Sequence, residues 1–378
     1  MPPLNLLIKP ASSGCNMSCD YCFYVDEARH RKTASYGIMT SETLEAVISK
    51  ALAFADHHCV IGFQGGEPTL AGLEFFRYVV ALQHKYRKPG QIVENAIQTN
   101  GYAFNAEWAE FLADNNFLVG LSLDGPKDIH DRYRVDHGGK GTFRQVLRTV
   151  ELLRGHKVEF NVLTVVTAQT AKKTDAIYGF FKKNKLDYQQ YIPCLDPLEE
   201  ERGRQTYSLT PELYGGFLKA LFQQWYLDRM NGRFVYIRYF ENLMSILAGK
   251  YPESCGMLGR CANQWIVEAD GSVYPCDFSV LDQWRLGNLM TDSMENIAAN
   301  SRVSEFIGES LAIHGDCKNC EWATFCRGGC RREREILPGD TAPKNYFCEA
   351  YKTFFAYSMP KFRQVMNRWY SGQAPKEF

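Results

Sequence analysis

The chain has 378 residues, 45% of them hydrophobic, and its 43 Lys plus Arg are balanced by 43 Asp plus Glu. That length calls for a globular protein with a large core and two or three structural units, and the charge balance leaves no net field to recruit nucleic acid or an acidic membrane surface. No apolar run could span a bilayer, and the opening Met-Pro-Pro-Leu-Asn-Leu-Leu-Ile-Lys-Pro lacks the charged start of a signal peptide, so a cytoplasmic protein with neither nucleic acid nor membrane as partner is expected.

From residue 3 to about 195, short β-rich runs alternate with segments of helical period. Strands are expected at Leu4–Ile8, Cys59–Phe63, Ile92–Gln98, Leu118–Leu123, Phe160–Val166 and Tyr188–Ile192. Helices are expected near 40–56, 71–88, 105–115, 142–155 and 170–184, with Thr40, Asn105 and Thr142 as N-caps. Repeated strand–helix units require parallel strands joined by right-handed crossovers, hence an α/β fold that is an open sheet or a barrel. Six units point to a partial, laterally open (β/α)6 barrel. The polar and glycine motifs Gln64-Gly65-Gly66-Glu67-Pro68, Thr99-Asn100-Gly101 and Asp124-Gly125-Pro126 all follow strands, which puts them on the face where such barrels carry their chemistry.

After about 200 the rhythm changes. A charged loop, Glu199 to Arg204, leads to an aromatic-rich helix over Pro211 to Arg229 and a second helix over Tyr239 to Ala248. Beyond Cys255 the sequence is rich in Gly, Cys and turn residues, with one hairpin signal from Ile266 to Tyr274. So little apolar periodicity calls for cross-linking to hold shape.

Thirteen cysteines are too few for a disulfide scaffold, and in a reducing cytosol their clustering argues for metal or redox chemistry. Cys59 and Cys194 stand apart in apolar runs and read as small buried hydrophobes. Cys15-x3-Cys19-x2-Cys22 follows the first strand directly, so three thiolates can reach one point. Three thiolates on a cubane leave one iron open. A zinc site that recruits His30 is the alternative. The pair His57-His58 is read as the exposed end of a helix.

With Tyr21 just before its third cysteine, this motif resembles the radical S-adenosylmethionine (SAM) superfamily. The resemblance implies that Cys15, Cys19 and Cys22 hold a [4Fe-4S] cluster whose open iron binds SAM, generating a deoxyadenosyl radical that abstracts hydrogen. Gly65-Gly66-Glu67-Pro68 is similar to the superfamily's GGEP motif, whose backbone would bond the SAM amino group. Thr99-Asn100-Gly101 and Ser122-Leu123-Asp124-Gly125 resemble its strand-end contacts to SAM. Ser122 and Arg134 are the candidates there, Arg134 for the carboxylate, with a purely structural role open for both.

Eight later cysteines, Cys255, Cys261, Cys276, Cys317, Cys320, Cys326, Cys330 and Cys348, are the number needed to ligate two further cubanes fully. Their spacing resembles the SPASM-type auxiliary-cluster domain. That resemblance implies interleaved sets: Cys255, Cys261, Cys276 and Cys330 on one cluster, Cys317, Cys320, Cys326 and Cys348 on the other. Two four-cysteine zinc sites are the alternative. The expected organisation is a radical SAM partial barrel over 1–230, a helical connection over 231–254, a SPASM-type domain over 255–348 and a C-terminal helix over 349–378. The cofactors implied are SAM and three [4Fe-4S] clusters.

Within SPASM-bearing proteins the chain is most similar to the anaerobic sulfatase-maturating enzymes, because it starts almost at the first cluster motif and because Cys276 is followed by Asp277. The resemblance implies oxidation of a Cys or Ser to Cα-formylglycine, in an unfolded or nascent sulfatase carrying a Cys/Ser-x-Pro-x-Arg motif, with flavodoxin or ferredoxin as electron donor. Asp277 is the matching candidate base, although capping a turn is its other reading. Tyr24 and Gln64 adjoin the cluster loop and the glycine motif and are candidates to touch peptide or SAM. Two other functions stay open at this point: a SPASM-type peptide modifier that forms a thioether or carbon–carbon cross-link, and a non-enzymatic iron–sulfur electron carrier.

Overall fold

The computed structural model describes residues 3–370; the opening two residues and residues 371–378 of the expected C-terminal helix lie outside the described residues. In chain order the strands are β1 (Leu4–Ile8), β2 (His58–Phe63), β3 (Ile92–Thr99), β4 (Phe117–Ser122), β5 (Phe160–Val166), β6 (Tyr188–Pro193), β7 (Tyr236–Ile237), β8 (Ile266–Val267), β9 (Ser272–Tyr274) and β10 (Gly287–Asn288). The six strands expected before residue 195 are all present, within a residue of the expected bounds.

Helices Ser41–Phe54, Leu73–Tyr86, Ala106–Asp114 and Phe143–Gly155 fill the segments between them. Thr40 and Asn105 cap as expected: their side chains accept from Thr43 N at 3.1 Å and Trp108 N at 3.0 Å. Thr142 does not cap, because its hydroxyl donates to Arg134 O instead. The helix expected near 170–184 is two, Ala168–Ala171 and Thr174–Lys183. Thr167 caps the short first piece, and Lys173, at φ −125°, breaks the helical path. His57 and His58 do not end a helix. The helix stops at Phe54 and His58 opens β2, its Nε2 2.9 Å from the Glu94 carboxylate.

The chain forms two compact units, one from residues up to Leu123 with Asp131–Phe160 and Ala262–Ile307, the other from Asp124–His130, Asn161–Cys261 and the residues from Gly308 on. In the first unit the strand order is β10-β9-β8-β1-β2-β3-β4. The pairs β1–β2, β2–β3 and β3–β4 are parallel, so their C-terminal ends lie along one edge and deliver the cysteine loop, the glycine motif and Thr99-Asn100-Gly101 side by side. Leu4, Leu6, Ile8, Cys59, Ile61, Phe63, Val119 and Leu121 form the core against these helices, with Phe63 edge-on to Phe76 at 5.0 Å between ring centres. The hairpin expected at 266–274 is present as β8 and β9. Beyond expectation, β8 runs parallel to β1, pairing Leu7 with Ile266 and Ile8 with Val267.

In the second unit β5, β6 and β7 are parallel. Helix Pro211–Met230, capped by Thr210, packs on helix Cys348–Tyr370 through Phe222 and Phe362, whose rings lie 4.6 Å apart. Among the described residues no helix is long and apolar enough to cross a membrane.

Candidate active site

The loop after β1 carries Cys15, Cys19 and Cys22, all partly exposed free thiols. Several contacts fix it: Ser18 N donates to Val135 O at 2.8 Å, Cys22 N to Cys19 O at 3.1 Å, and the His137 ring bridges Cys15 O and Ser18 Oγ, both at 2.9 Å. The glycine motif is stitched to it through main chain. Gly66 N donates to Ser12 O at 2.9 Å and Glu67 N to Gly14 O at 2.7 Å. A Cβ on Gly66 would lie 1.9 Å from Gly14 O, and Gly65 sits at φ +119°, so both positions require glycine. The Gly66 and Glu67 N–H groups are thus spent within the protein, and a SAM ammonium, itself a donor, asks for carbonyls.

Glu67 is fully buried, and burial pushes its carboxyl up while four donors pull the other way. Thr69 N, Thr69 Oγ1 and Thr99 Oγ1 donate to Oε1, and Asn100 N donates to Oε2 at 2.7 Å. Glu67 therefore clamps the end of β3 to the glycine motif. The clamp carries Asn100 to the cysteine loop, its Nδ2 2.8 Å from Asn16 Oδ1 and 3.6 Å from Cys15 Sγ. Ser122, at the end of β4, accepts from Gln98 Nε2 at 3.3 Å. The buried Arg134 guanidinium lies 5.5 Å from the Tyr21 ring centre. Its charge reaches Cys22, where burial raises the thiol pKa and Arg134 opposes the rise.

Asp277 is 7% exposed, and burial raises its pKa, opposed by the Lys9 charge and by the Tyr24 hydroxyl. Its Oδ2 accepts from Tyr24 Oη at 2.6 Å and from Gln64 Nε2 at 3.1 Å, and Gln64 Nε2 is also 2.5 Å from Tyr24 Oη. Its Oδ1 is buried without a protein partner. Tyr24, its pKa raised well above normal by burial and by the neighbouring carboxylate, stays a phenol that donates. The structure brings together Tyr24, Gln64 and Asp277.

Beneath them lies a charge cluster that the sequence reading missed. Lys9 Nζ sits 4.8 Å from the Tyr24 ring centre and 3.0 Å from Glu268 Oε1, which also accepts from Arg31 at 2.6 Å. Glu27 is buried nearby, its Oε1 accepting from Val280 N at 3.1 Å and its Oε2 unpartnered. One signal was available: a lysine immediately after an apolar strand, just ahead of the cysteine motif.

In the second unit the thiols fall into two electrostatic groups. Burial pushes Cys330 up to about 12, with Cys255 and Cys261 adding to the rise; burial does the same to Cys326, with Cys348, Cys317 and Cys320 adding to it. Among the described residues no three His, Cys, Asp or Glu side chains converge on a single-ion site. A cubane asks for a wider spread, because each thiolate binds its own iron corner. Cys276 belongs to the first unit, beside Asp277. Cys59 and Cys194 are buried, and burial raises the pKa of each. His30, which follows helix Phe23–Arg29 as its C-cap, has Nδ1 2.9 Å from Asp26 O.

The Radical SAM superfamily profile matches residues 10–181, and that of an iron–sulfur cluster-binding domain, SPASM, matches residues 255–321. Fold and site define a radical SAM protein with an iron–sulfur cluster-binding domain. A cysteine-type anaerobic sulfatase-maturating enzyme of Clostridium perfringens strain 13 is 50% identical over 368 residues, 97% of this chain and 99% of that protein. A serine-type enzyme of Bacteroides thetaiotaomicron is 31% identical, over 99% of this chain and 94% of that protein. The solved structure of native anSMEcpe with bound AdoMet and Kp18Cys peptide superposes with a TM-score of 0.92 at 49% identity, covering 97% of this chain and 100% of that chain. The chain belongs to the anaerobic sulfatase-maturating enzymes, which generate Cα-formylglycine in sulfatases by radical SAM chemistry. The α/β fold of radical SAM type expected from the sequence is the fold observed.

Proposed function

We propose that this enzyme oxidises a target cysteine of a sulfatase to Cα-formylglycine, with Asp277 as the base that takes the thiol proton. The carrying observation is that Asp277 Oδ2 is held by Tyr24 and Gln64 while Oδ1 stays buried and unpartnered. Two donors on one oxygen fix the carboxylate's direction and leave the other to accept a proton. The cysteine preference is supported by 50% identity to a cysteine-type relative against 31% to a serine-type one.

The residues present fit the cofactors. Three thiols on a loop at the strand ends suit a cluster with one open iron, and the two electrostatic groups of thiols in the second unit, Cys330 with Cys255 and Cys261 and Cys326 with Cys317, Cys320 and Cys348, support two further clusters. When bound, SAM at the first cluster supplies hydrogen abstraction from Cβ, and the auxiliary clusters supply an acceptor for the second electron. Arg134, stacked on Tyr21, would hold the SAM carboxylate, and Ser122 would contact its ribose. Gly65 and Gly66 let the glycine motif close directly on the cysteine loop, which sets the floor of the SAM site. Lys9 and the Tyr24 hydroxyl oppose the effect of burial and favour ionised Asp277, the form that accepts a proton. The substrate segment would carry Cys-x-Pro-x-Arg, and flavodoxin or ferredoxin would deliver the reducing electron.

The test is Asp277→Asn in anaerobically reconstituted enzyme. Iron should stay at about twelve per chain and deoxyadenosine should still form, while aldehyde formation slows about a hundredfold or more. Unchanged aldehyde formation removes Asp277 from the role of base.

A further inference from the structure

We infer that Asn100 tunes the reduction potential of the first cluster by donating a hydrogen bond from its side-chain amide to the Cys15 sulfur. The inference rests on the reading of Cys15 as a cluster ligand. The amide's direction is fixed by its neighbours. Asn100 Oδ1 accepts from Tyr102 N at 2.9 Å, and Nδ2 donates to Asn16 Oδ1 at 2.8 Å. Flipping the amide would face its oxygen to Asn16 Oδ1 and its NH2 to the Tyr102 N–H, losing both bonds. The second amide hydrogen therefore faces Cys15 Sγ, 3.6 Å from Nδ2.

The backbone beneath is equally constrained. Asn100 N is anchored to the buried Glu67 carboxylate at 2.7 Å, and Gly101 N donates to Thr99 Oγ1 at 3.0 Å. Met17 N is a second donor to the same sulfur at 3.4 Å, but it is main chain and cannot be removed by substitution. Asn100 is the side chain that evolution or an experimenter can change. A donor N–H points the positive end of its dipole at the sulfur. A reduced cluster carries one more negative charge than an oxidised one, so the donor stabilises the reduced form more and raises the potential. Glu67 of the glycine motif is thereby a positioning residue for this bond, acting through Asn100.

The test is an EPR-monitored redox titration of the anaerobic holoenzyme that follows the signal component altered by adding SAM. Asn100→Ala removes the donor. Asn100→Asp keeps the shape and the acceptor for Tyr102 N but replaces the donor by an oxygen. Both variants should hold wild-type iron and shift that component to a more negative potential, Asn100→Asp at least as far as Asn100→Ala. A SAM-responsive signal at full iron content and unmoved potential in either variant overturns the role of Asn100. Wild-type enzyme with no SAM-responsive signal would instead remove the ligand reading of Cys15, and this inference with it.

Discussion

The Tyr24 hydroxyl donates to Asp277 Oδ2 across 2.6 Å, joining residues 253 positions apart in the chain. A hydrogen bond to a charged group contributes about 1.5–3 kcal/mol, so Tyr24→Phe should slow aldehyde formation about ten- to a hundredfold. With Tyr24 acting through Asp277 in proton removal alone, radical generation is spared. The ratio of deoxyadenosine released to aldehyde formed should therefore rise, and chromatography of both products checks it; a constant ratio would place Tyr24 outside proton removal.

Gly66→Ala forces a methyl group against Gly14 O, where the built Cβ lies 1.9 Å away. Relief requires the cysteine loop to move, at a cost of about 1–3 kcal/mol or more. The expected outcome is loss of the first cluster with retention of the others, read as a fall of about four irons per chain and absence of deoxyadenosine. Full iron and normal SAM cleavage would show that the two loops are not coupled.

Burial pushes the Glu27 carboxyl up to about 8, against the lowering effect of Lys9 and with Asp277 adding to the rise; the Val280 N–H and Arg31 also lower it. The folded state thus holds a proton there that the unfolded chain, with a carboxyl near about 4.3, has released. That contribution to stability is full below about pH 4 and is lost as pH rises through about 8. Glu27→Gln keeps an acceptor for Val280 N and removes the titration. Between about pH 5 and 9 the wild-type apparent unfolding temperature should fall relative to the variant's. A gap that does not change with pH would refute the assignment.

Much of the fold and of the site was legible because it is local. The strands from Leu4 to Ile192 announce themselves by apolar runs, and the cysteine spacings carry the chemistry. What stayed hidden depends on long-range pairing. β8 is two residues long and is a strand because β1 offers it an edge, which no local pattern records. Arg31 and Glu268 carry no local sign that folding buries them with Lys9, because they lie 237 positions apart. Asp277 was visible through its adjacency to Cys276, whereas its orientation by Tyr24 and Gln64 was not. Thr142 failed as a cap because Arg134 O competes for its hydroxyl, a contact eight residues back.

The most direct test of the account is the mass of a Cys-x-Pro-x-Arg peptide, and of its serine counterpart, after anaerobic turnover with SAM and a reductant. The account predicts that the cysteine peptide is converted faster, its CH2SH replaced by an aldehyde within that single residue, with deoxyadenosine released alongside. An unaltered peptide, or a product in which two residues have become joined, would contradict it.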